Sequence, residues 1–348
     1  MRLRGTAARG QRTGFTLIEL LVVVAIIALL ISILVPSLNA ARRQARALTC
    51  ATNMRHVGTA VATYLAVNNG IYPPSYVYPT DADGNWSLRQ DTTKQYGYSH
   101  WSWFLYDRGN VDLKSFQCPE IQFGGHPRTN PGRDTSNWNA NEAQVDDTHG
   151  GPPGTREDKQ APRMAFRANA AIMPRNKFLP ADFPGQQRYN QFVRENAFGD
   201  KAGRIVLVTE SHEYFPAICV QDGSSNLSKS HRSINPFFHI TTGSDEYSAP
   251  QTSGDGFLYG DGTADKNLGL RPWSEIERKP GLVEDPSVSE VNTIGRHHPG
   301  GDKLGGTTNF LYIDGSVERK PVLDTLRGRE WGNKYYSLTG NNRVRWGN

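Results

Sequence analysis

The sequence has few acidic residues near its N terminus. The first 14 residues contain no acidic side chain, and the 24 residues from Phe15 to Leu38 contain one charged residue, Glu19. An apolar run of this length can cross a bilayer as one helix, which needs about 20 residues. Lipid offers no hydrogen-bond partners to the backbone, so a helix is the expected form. A carboxylate costs roughly 2.5–3.5 kcal/mol at the bilayer centre and less toward its edge, which makes Glu19 a candidate functional residue.

Cysteine is also scarce. The three cysteines, Cys50, Cys118 and Cys219, are widely spaced, which excludes the short Cys-x-x-Cys pairs typical of zinc sites. One disulfide bond is compatible with a location outside the cytoplasm, and small buried thiols are an equally good interpretation. The sequence has no nucleophile elbow, phosphate loop or dinucleotide fingerprint, so the common catalytic and nucleotide-binding motifs are missing.

The net charge of +5 gives no argument for nucleic-acid binding. Four of the 39 basic residues are arginines in the first 14 residues, and the remaining 35 are balanced by 34 acidic residues. Glycine and proline together make up 56 of the 348 residues, which predicts many loops. The length allows one large domain or two modest ones.

The order of features at the N terminus is specific. A basic leader, residues 1–14, ends in Gly14; Phe15 follows, and Glu19 is the fifth residue after the glycine. This arrangement resembles the signal of type IV prepilins and type II secretion pseudopilins. The resemblance implies that a prepilin peptidase cuts between Gly14 and Phe15 and methylates the new N terminus. It also implies that Glu19 pairs with the terminal amine of a neighbouring subunit during assembly, which would offset the cost of a buried carboxylate.

Other targeting signals fit less well. An ordinary secretory signal has an apolar core of about 7–15 residues, shorter than this run. A lipoprotein signal ending at Cys50 fails because this cysteine lies well past the apolar core. A plain membrane anchor stays open as an alternative, and processing at Gly14 distinguishes it. Arginines flank the span on both sides, so we orient it by the leader alone, with the N terminus cytoplasmic and the bulk of the chain outside.

A helical pattern continues beyond the apolar run. One apolar stripe recurs at intervals of three and four residues, at Cys50, Met54, Val57, Val61 and Leu65. We expect one helix over residues 15–66, transmembrane over 15–38, kinked or loosened at Pro36 and stopped by residues 68–70. Its second half should pack the stripe against a globular head, residues 67–348.

The predicted fold class is α+β, with this helix packed against an antiparallel-sheet head that has long loops. Residues 205–208 form the clearest strand pattern and predict a buried central strand. The aromatic residues at 101–106 predict a core helix or strand. Residues 124–161 are rich in Gly, Pro, Asn and Asp, and predict a long excursion that buries little.

Residues 296–318 form the last distinctive element. The pair Asp314-Gly315 between apolar segments predicts a β-hairpin with a type I′ turn. With Cys50 and the Gly-x-x-Pro at 70–73, this region resembles a large family of prepilin-type proteins that carry a C-terminal His-(nine residues)-Asp-Gly element. The matching residues are His298, Asp314 and Gly315. Fifteen residues separate His298 from Asp314 here, because the segment 299–306 is lengthened.

Two clusters of histidine and acidic residues are candidates for catalysis or metal binding. Glu210 and His212 at a strand end can be read as catalytic or metal-binding residues. His297 and His298 can be combined with Asp314 in a metal site, although adjacent side chains on a strand point to opposite faces. We therefore expect a histidine that is hydrogen-bonded near the hairpin rather than a two-histidine metal site.

Two oxygen-rich loops are candidates for calcium, at Asp81 and Asp83 and at Asp261 and Asp265. Neither loop has the distal bidentate glutamate of an EF-hand, so solvated turns are the better interpretation. We expect no catalytic residue, metal or cofactor, with calcium as the alternative.

The sequence thus predicts a structural subunit and not an enzyme. It would be cleaved and N-methylated, anchored in the inner membrane by one span, and assembled into a pilus or pseudopilus, with its head periplasmic or in an extracellular fibre. The predicted partners are prepilin peptidase, other pilin or pseudopilin subunits and the inner membrane, without nucleic acid. The alternatives are a non-polymerising, membrane-tethered binding protein for carbohydrate or protein partners, and a membrane-anchored hydrolase that uses Glu210 and His212.

Overall fold

The computed structural model describes residues 15–81, 83, 85–86, 89–90, 96–132, 156–174, 177–178, 188–189, 192–222, 225–239, 257–259, 270–283, 289–302, 304–333 and 344–346. The chain divides into two compact units, residues 1–45 and 46–348. The α-helices are α1 (Leu17–Val67), α2 (Trp101–Tyr106), α3 (Trp273–Ile276) and α4 (Val322–Arg327). Short 3-10 helices span Leu113–Phe116, Gln122–Gly124, Glu195–Arg204, Phe215–Ile218 and Glu290–Thr293.

The described strands are mostly short. They are β1 (Tyr76–Val77), β2 (Arg89–Gln90), β3 (Ser99–His100), β4 (His126–Pro127), β5 (Arg163–Met164), β6 (Phe166–Ala168), β7 (Lys177–Phe178), β8 (Arg188–Tyr189), β9 (Val206–Glu210), β10 (Cys219–Asp222), β11 (Ser225–Ser228), β12 (Phe238–His239), β13 (Phe257–Tyr259), β14 (His298–Asp302), β15 (Gly305–Tyr312), β16 (Val317–Lys320) and β17 (Val344–Trp346). All the pairs among them are antiparallel except β13 with β17. The predicted α+β class is confirmed.

The first unit contributes the apolar half of α1. Its large apolar side chains are exposed in the single chain, from Val23 at 45% to Leu17 at 80%. Among the described residues, α1 is the one helix long and apolar enough to cross a membrane. The helix continues through Pro36. So much apolar surface requires lipid or other helices to cover it.

The second half of α1 belongs to the second unit and carries the predicted stripe. Its buried residues include Cys50, Met54, Val57 and Val61, and Leu65 is partly buried against the same core. The helix ends one residue later than predicted, at Val67. Gly70 closes it: its φ is +69° and its amide donates to the carbonyl of Leu65 at 2.9 Å.

Strand β15 organises the main sheet. It pairs antiparallel with β14, β16 and β9, and β9 pairs in turn with β6. β9 is buried along its whole length, which confirms the predicted central strand. The registers align His298 with Thr307 and Thr209 with Phe310. The start of β14 and the end of β9 therefore meet the same stretch of β15.

The sheet separates two hydrophobic cores. Leu311 on β15 packs into the core that includes the stripe of α1, while its neighbours Phe310 and Tyr312 pack into the second core with Trp331. This alternation is the period-two pattern of a strand covered on both faces. Helix and sheet approach closely at Gly58, where an added Cβ would lie 2.9 Å from a methyl carbon of Leu311.

The C-terminal hairpin is present, but the predicted turn type is wrong. Strands β15 and β16 pair as predicted, and the amide of Tyr312 donates to the carbonyl of Ser316 at 2.9 Å. Gly315 has a φ of +83°, whereas Asp314 does not adopt a positive φ. The connection is therefore a three-residue loop with one left-handed glycine, whereas a type I′ turn needs two left-handed residues.

The predicted excursion over residues 124–161 is described at its two ends only; residues 133–155 lie outside the described residues. Those ends are more buried than expected. The side chain of Asp158 is inaccessible and accepts hydrogen bonds from the amides of Tyr98 and Asn130, each at 2.8 Å. Hydrogen bonds between this carboxylate and backbone amides therefore hold the two ends in place, although the segment has few aliphatic residues to pack.

Candidate functional site

The N-terminal site is described from Phe15 onward, and Gly14 with the rest of the leader lies outside the described residues. Glu19 closes a capping box at the start of α1. Its Oε2 accepts from the amide of Thr16 at 2.9 Å and from its hydroxyl at 2.8 Å, and the amide of Glu19 donates to Thr16 Oγ1 at 3.3 Å. In the single chain the carboxylate therefore satisfies the amide of Thr16, and Thr16 Oγ1 satisfies the amide of Glu19, two donors that the start of a helix leaves free.

A second site lies inside the head, around Glu210. This residue ends β9, His298 begins β14, and Thr308 and Asn309 lie on β15. The strand registers bring these four side chains together, and all four are buried. A carboxylate that is 0% exposed is stable only where its oxygens are fully hydrogen-bonded.

Both oxygens of Glu210 are satisfied. Oε1 accepts from His298 Nε2 at 2.8 Å and from Asn309 Nδ2 at 3.0 Å. Oε2 accepts from Thr308 Oγ1 at 2.8 Å and from the amide of Asn309 at 2.9 Å. Asn309 Nδ2 also approaches the carbonyl of Ala47 at 3.3 Å, so the network reaches the second half of α1.

His297 adds a second imidazole. Its Nε2 lies 3.8 Å from Glu210 Oε2, and its Nδ1 lies 3.4 Å from Glu213 Oε2. The expectation that His297 and His298 would point apart is therefore wrong. His297 precedes β14, so the alternation of a strand does not apply to it, and the two rings lie 4.5 Å apart.

The electrostatics favour a charged network. Burial alone would raise the pKa of Glu210, but the bond from His298, the charges of both histidines and the amide of Asn309 lower it to about 2. Burial alone would lower the pKa of His297, but Glu213 and Glu210 raise it above the ordinary value. His297 thus lies between two carboxylates, and their negative charges favour the protonated form of its ring.

A disulfide lies against this network. Cys50 of α1 is bonded to Cys118, with their Cα atoms 5.0 Å apart, and Cys118 Sγ lies 3.7 Å from His297 Nε2. Of the two interpretations left open for the cysteines, the disulfide applies to this pair, and Cys219 is a buried thiol that donates to the carbonyl of Phe215 at 3.2 Å. The Cys50–Cys118 disulfide links α1 to the segment that follows the 3-10 helix Leu113–Phe116.

Glu210 and His212 have different hydrogen-bond partners, although Glu213 and His297 lie between them. His212 stacks on Trp273 with ring centroids 4.2 Å apart, and its Nδ1 accepts from the amide of Tyr214 at 3.0 Å. Burial lowers the pKa of His212 to about 4 despite the opposing charge of Glu213. The hydrogen bonds of Glu210 go to His298, Thr308 and Asn309, and Glu213 Oε2 lies 3.8 Å from His212 Nδ1 and 3.4 Å from His297 Nδ1.

The predicted grouping of His298 with Asp314 does not form. His298 pairs with the first half of β15, and Asp314 follows the other end of that strand, roughly 20 Å away at 3.3 Å per residue. Asp314 accepts instead from the amide of Ser316 at 2.9 Å. They cannot hold one ion.

Of the two candidate calcium loops, the one with Asp81 and Asp83 lies among the described residues. Asp81 accepts within its own loop, from the amides of Asp83 at 3.0 Å and Asn85 at 3.1 Å. These bonds are those of an Asx-type turn. Asp261 and Asp265 lie outside the described residues.

A pocket of about 370 Å³ lies elsewhere on the head. Aromatic and charged side chains line it, among them Tyr96, Trp103, Tyr106, Arg128, Glu157 and Lys159. Several are already paired: Lys159 Nζ lies 4.9 Å over the ring of Trp103, and Arg128 forms an ion pair with Glu157 at 2.7 Å.

Comparison with known families supports the N-terminal site. Residues 9–35 match the prokaryotic N-terminal methylation motif. The match includes Gly14, Phe15 and Glu19, so the chain has a type IV pilin-like prepilin N terminus. Processing by a prepilin peptidase and membrane association follow from that motif, and with the apolar half of α1 it fits a single-pass inner-membrane protein. No curated protein and no solved structure gives a significant match to the chain.

Sequence reasoning missed several residues of these sites. Thr16 could have been found, because Thr16-x-x-Glu19 has the spacing of a capping box. Thr308 and Asn309 could not, because their partner Glu210 is 98 and 99 residues away and nothing local marks the pairing.

Proposed function

We propose that this prepilin-like chain is a structural subunit of a pilus or a type II secretion pseudopilus. Prepilin peptidase cuts it after Gly14 and methylates Phe15. The apolar half of α1 then holds it in the inner membrane, with the N terminus cytoplasmic and the head periplasmic, until it joins a fibre. The proposed role involves no catalysis.

The observation that carries this proposal is the methylation motif over residues 9–35, which overlaps the exposed apolar half of α1. A membrane anchor alone would need the apolar residues but would have no use for a cleavable glycine and a carboxylate at fixed positions. An assembling subunit uses both, since helices that leave the membrane must cover their apolar faces with other helices.

Glu19 has a physical reason to change partners during assembly. In the single chain it bonds to Thr16, on its own helix. In a fibre core it would be removed from water, where an unpaired charge is costly, and the methylated amine of a neighbouring Phe15 would neutralise it. We propose that this exchange sets the register between subunits.

The cross-links inside the head are consistent with a structural role, because they hold the second half of α1 firmly against the sheet. The disulfide and the Glu210 network connect the second half of α1 to β15 and to the segment carrying Cys118. We propose that this region is the C-terminal His…Asp-Gly domain of the prepilin-type family that the sequence resembles. His298 then fixes the start of β14, and Asp314 and Gly315 form the hairpin turn.

Gly14 provides the first test of processing. A Gly14→Val substitution should block leader removal, because the peptidase must accommodate the residue at the cut, while Gly10→Ala in the same leader should leave processing unchanged. The measurement is the intact mass of the membrane-extracted chain. A Gly14→Val chain that still loses residues 1–14 would refute the assigned cleavage position.

A binding role is the second candidate, and the pocket lined by Trp103 and Tyr106 is the observation that favours it. In this alternative the chain stays in the membrane as a monomer and binds a carbohydrate or a protein segment. Titration with neutral hexasaccharides should then give saturable binding that Trp103→Ala weakens by about tenfold, or 1.4 kcal/mol. Phe123→Ala is the matched control, because Phe123 is 51% exposed and does not line the pocket. Equal binding by both variants would remove this alternative.

A further inference from the structure

Four side chains with metal-binding atoms converge beside the Glu210 network. They are Cys50 on α1, Cys118 after the Leu113–Phe116 turn, Glu210 at the end of β9 and His298 at the start of β14. All four are buried, and one donor atom of each lies within 4.8 Å of the donor atoms of the others. Zinc ligands lie about 2.0–2.3 Å from the ion, which places the ligand atoms of a tetrahedral site roughly 3.3–3.8 Å apart. The cluster is thus close to the size that such an ion needs.

We propose that the chain with Cys50 and Cys118 reduced binds one zinc-class divalent ion through the two thiolates, His298 Nε2 and Glu210 Oε1. Thiolate, imidazole and carboxylate are the ligand types that Zn²⁺ accepts, and a set with two thiolates disfavours Mg²⁺ and Ca²⁺. This goes beyond the fibre role and does not depend on it. It also departs from the expectation that the chain binds no metal.

The contacts around the ligands favour this geometry. Glu210 Oε2 is held by Thr308 and the amide of Asn309, so the carboxylate keeps its orientation while Oε1 exchanges its bonds from His298 and Asn309 Nδ2 for the ion. Such bonds to a ligating carboxylate orient it for the metal. His298 keeps its buried Nδ1 without a hydrogen-bond partner among the described residues, and Nε2 is the nitrogen that faces the cluster. His297 Nε2, 3.7 Å from Cys118 Sγ, is a further nitrogen at the edge of the site.

The disulfide and the metal exclude each other, because thiolates and not disulfide sulfurs are the ligands. A dithiol reductant supplies two electrons and two protons to the Cys50–Cys118 bond and becomes a disulfide itself. Metal binding then displaces the two thiol protons to solvent, together with the proton on His298 Nε2, which passes to Nδ1 of the same ring or to solvent. Oxidation reverses this sequence and releases the ion. The reduced chain would hold metal where the oxidised chain holds its disulfide.

Cobalt(II) is the probe, because its thiolate complexes absorb at wavelengths where the protein does not. The full-length chain, in detergent, is titrated in its oxidised and its reduced form. We expect the reduced chain to bind one equivalent of cobalt, with the absorption of a complex that has two thiolate ligands. The oxidised chain should bind none. Cys118→Ser should weaken cobalt binding by at least about 100-fold, since it removes a ligand. Cys219→Ser, which alters a thiol outside the cluster, should leave cobalt binding unchanged.

A second measurement needs no variant. Zinc should protect Cys50 and Cys118 of the reduced wild-type chain from alkylation, as mapped by peptide mass. If the reduced chain unfolds without metal, zinc should restore its circular dichroism. Equal cobalt binding by both redox forms, unprotected cysteines, or a reduced chain that zinc does not refold would each overturn the proposal.

Discussion

Replacing Glu210 with glutamine should lower the free energy of unfolding of the oxidised head by about 3 kcal/mol at pH 7. Glutamine keeps one acceptor oxygen, but its amide nitrogen would face the donors that now surround the second oxygen, among them the fixed amide of Asn309. It would also leave His297 beside a neutral partner. Breaking a buried ion pair by removing one member costs about 3–5 kcal/mol.

Glu318→Gln is the matched control. Glu318 lies on β16, its side chain is 60% exposed, and its ion pair with Lys320 is at the surface. Exposed pairs contribute about 0–1 kcal/mol, so this variant should unfold almost as the wild type does. Urea unfolding in detergent compares the two. A Glu210→Gln variant as stable as Glu318→Gln would mean that the network does not stabilise the head.

The same residue predicts how stability depends on pH. The pKa of Glu210 falls from 4.5 to about 2 on folding. Its contribution is therefore complete above about pH 4.5 and is lost as the pH falls toward 2. His297 has the opposite sign, because its pKa is raised from 6.5: its contribution is complete below that value and is lost as the pH rises through the folded pKa. Wild-type stability should thus be greatest between these limits, and Glu210→Gln should show a weaker loss in acid.

Replacing Glu19 with valine should remove the chain from fibres while leaving its insertion and processing intact. Insertion becomes easier, because a charge is removed from the apolar segment. Assembly should fall by at least about tenfold, because a neighbouring Phe15 amine would enter the fibre core without its partner, and an unpaired buried charge costs about 3–5 kcal/mol. The measurement is the fraction of chain in sheared fibres against the fraction in the membrane.

Thr16→Ala separates the two roles of that carboxylate. It removes the hydroxyl that donates to Glu19 in the capping box but keeps the negative charge. The cost should be the loss of a helix cap, about 1 kcal/mol, with fibre yield close to normal. Equal losses for Thr16→Ala and Glu19→Val would mean that helix capping and not charge pairing is what assembly needs. A normal fibre yield for Glu19→Val would refute the register role.

Local pattern predicted those parts of this fold that local physics determines. The stripe from Cys50 to Leu65 is visible because a helix repeats every 3.6 residues, and β9 is visible as a short β-branched run. The hairpin at Asp314 was found for the same reason. Its turn type was missed, because one glycine in the left-handed region suffices once a third residue joins the loop.

The head site was not predictable in this way. Glu210 and His298 are each candidate residues in the sequence, but their numbers differ by 88. Their hydrogen bond depends on the registers of two strand pairs. The cysteines show the same limit. The spacing of the cysteines in the sequence is not that of a zinc site. The fold nevertheless brings Cys50 and Cys118 together with a carboxylate from β9 and an imidazole from β14. Spacing rules detect ligands that share one loop or helix, and these ligands share neither.

The decisive measurement for prepilin processing is the intact mass of the reduced chain, extracted from its native membrane. We expect a chain that begins at Phe15 and carries one added methyl group, placed on the amine of Phe15 by fragmentation. A chain that still begins at Met1, or one that begins elsewhere with an unmodified amine, would contradict prepilin processing and the fibre role that rests on it.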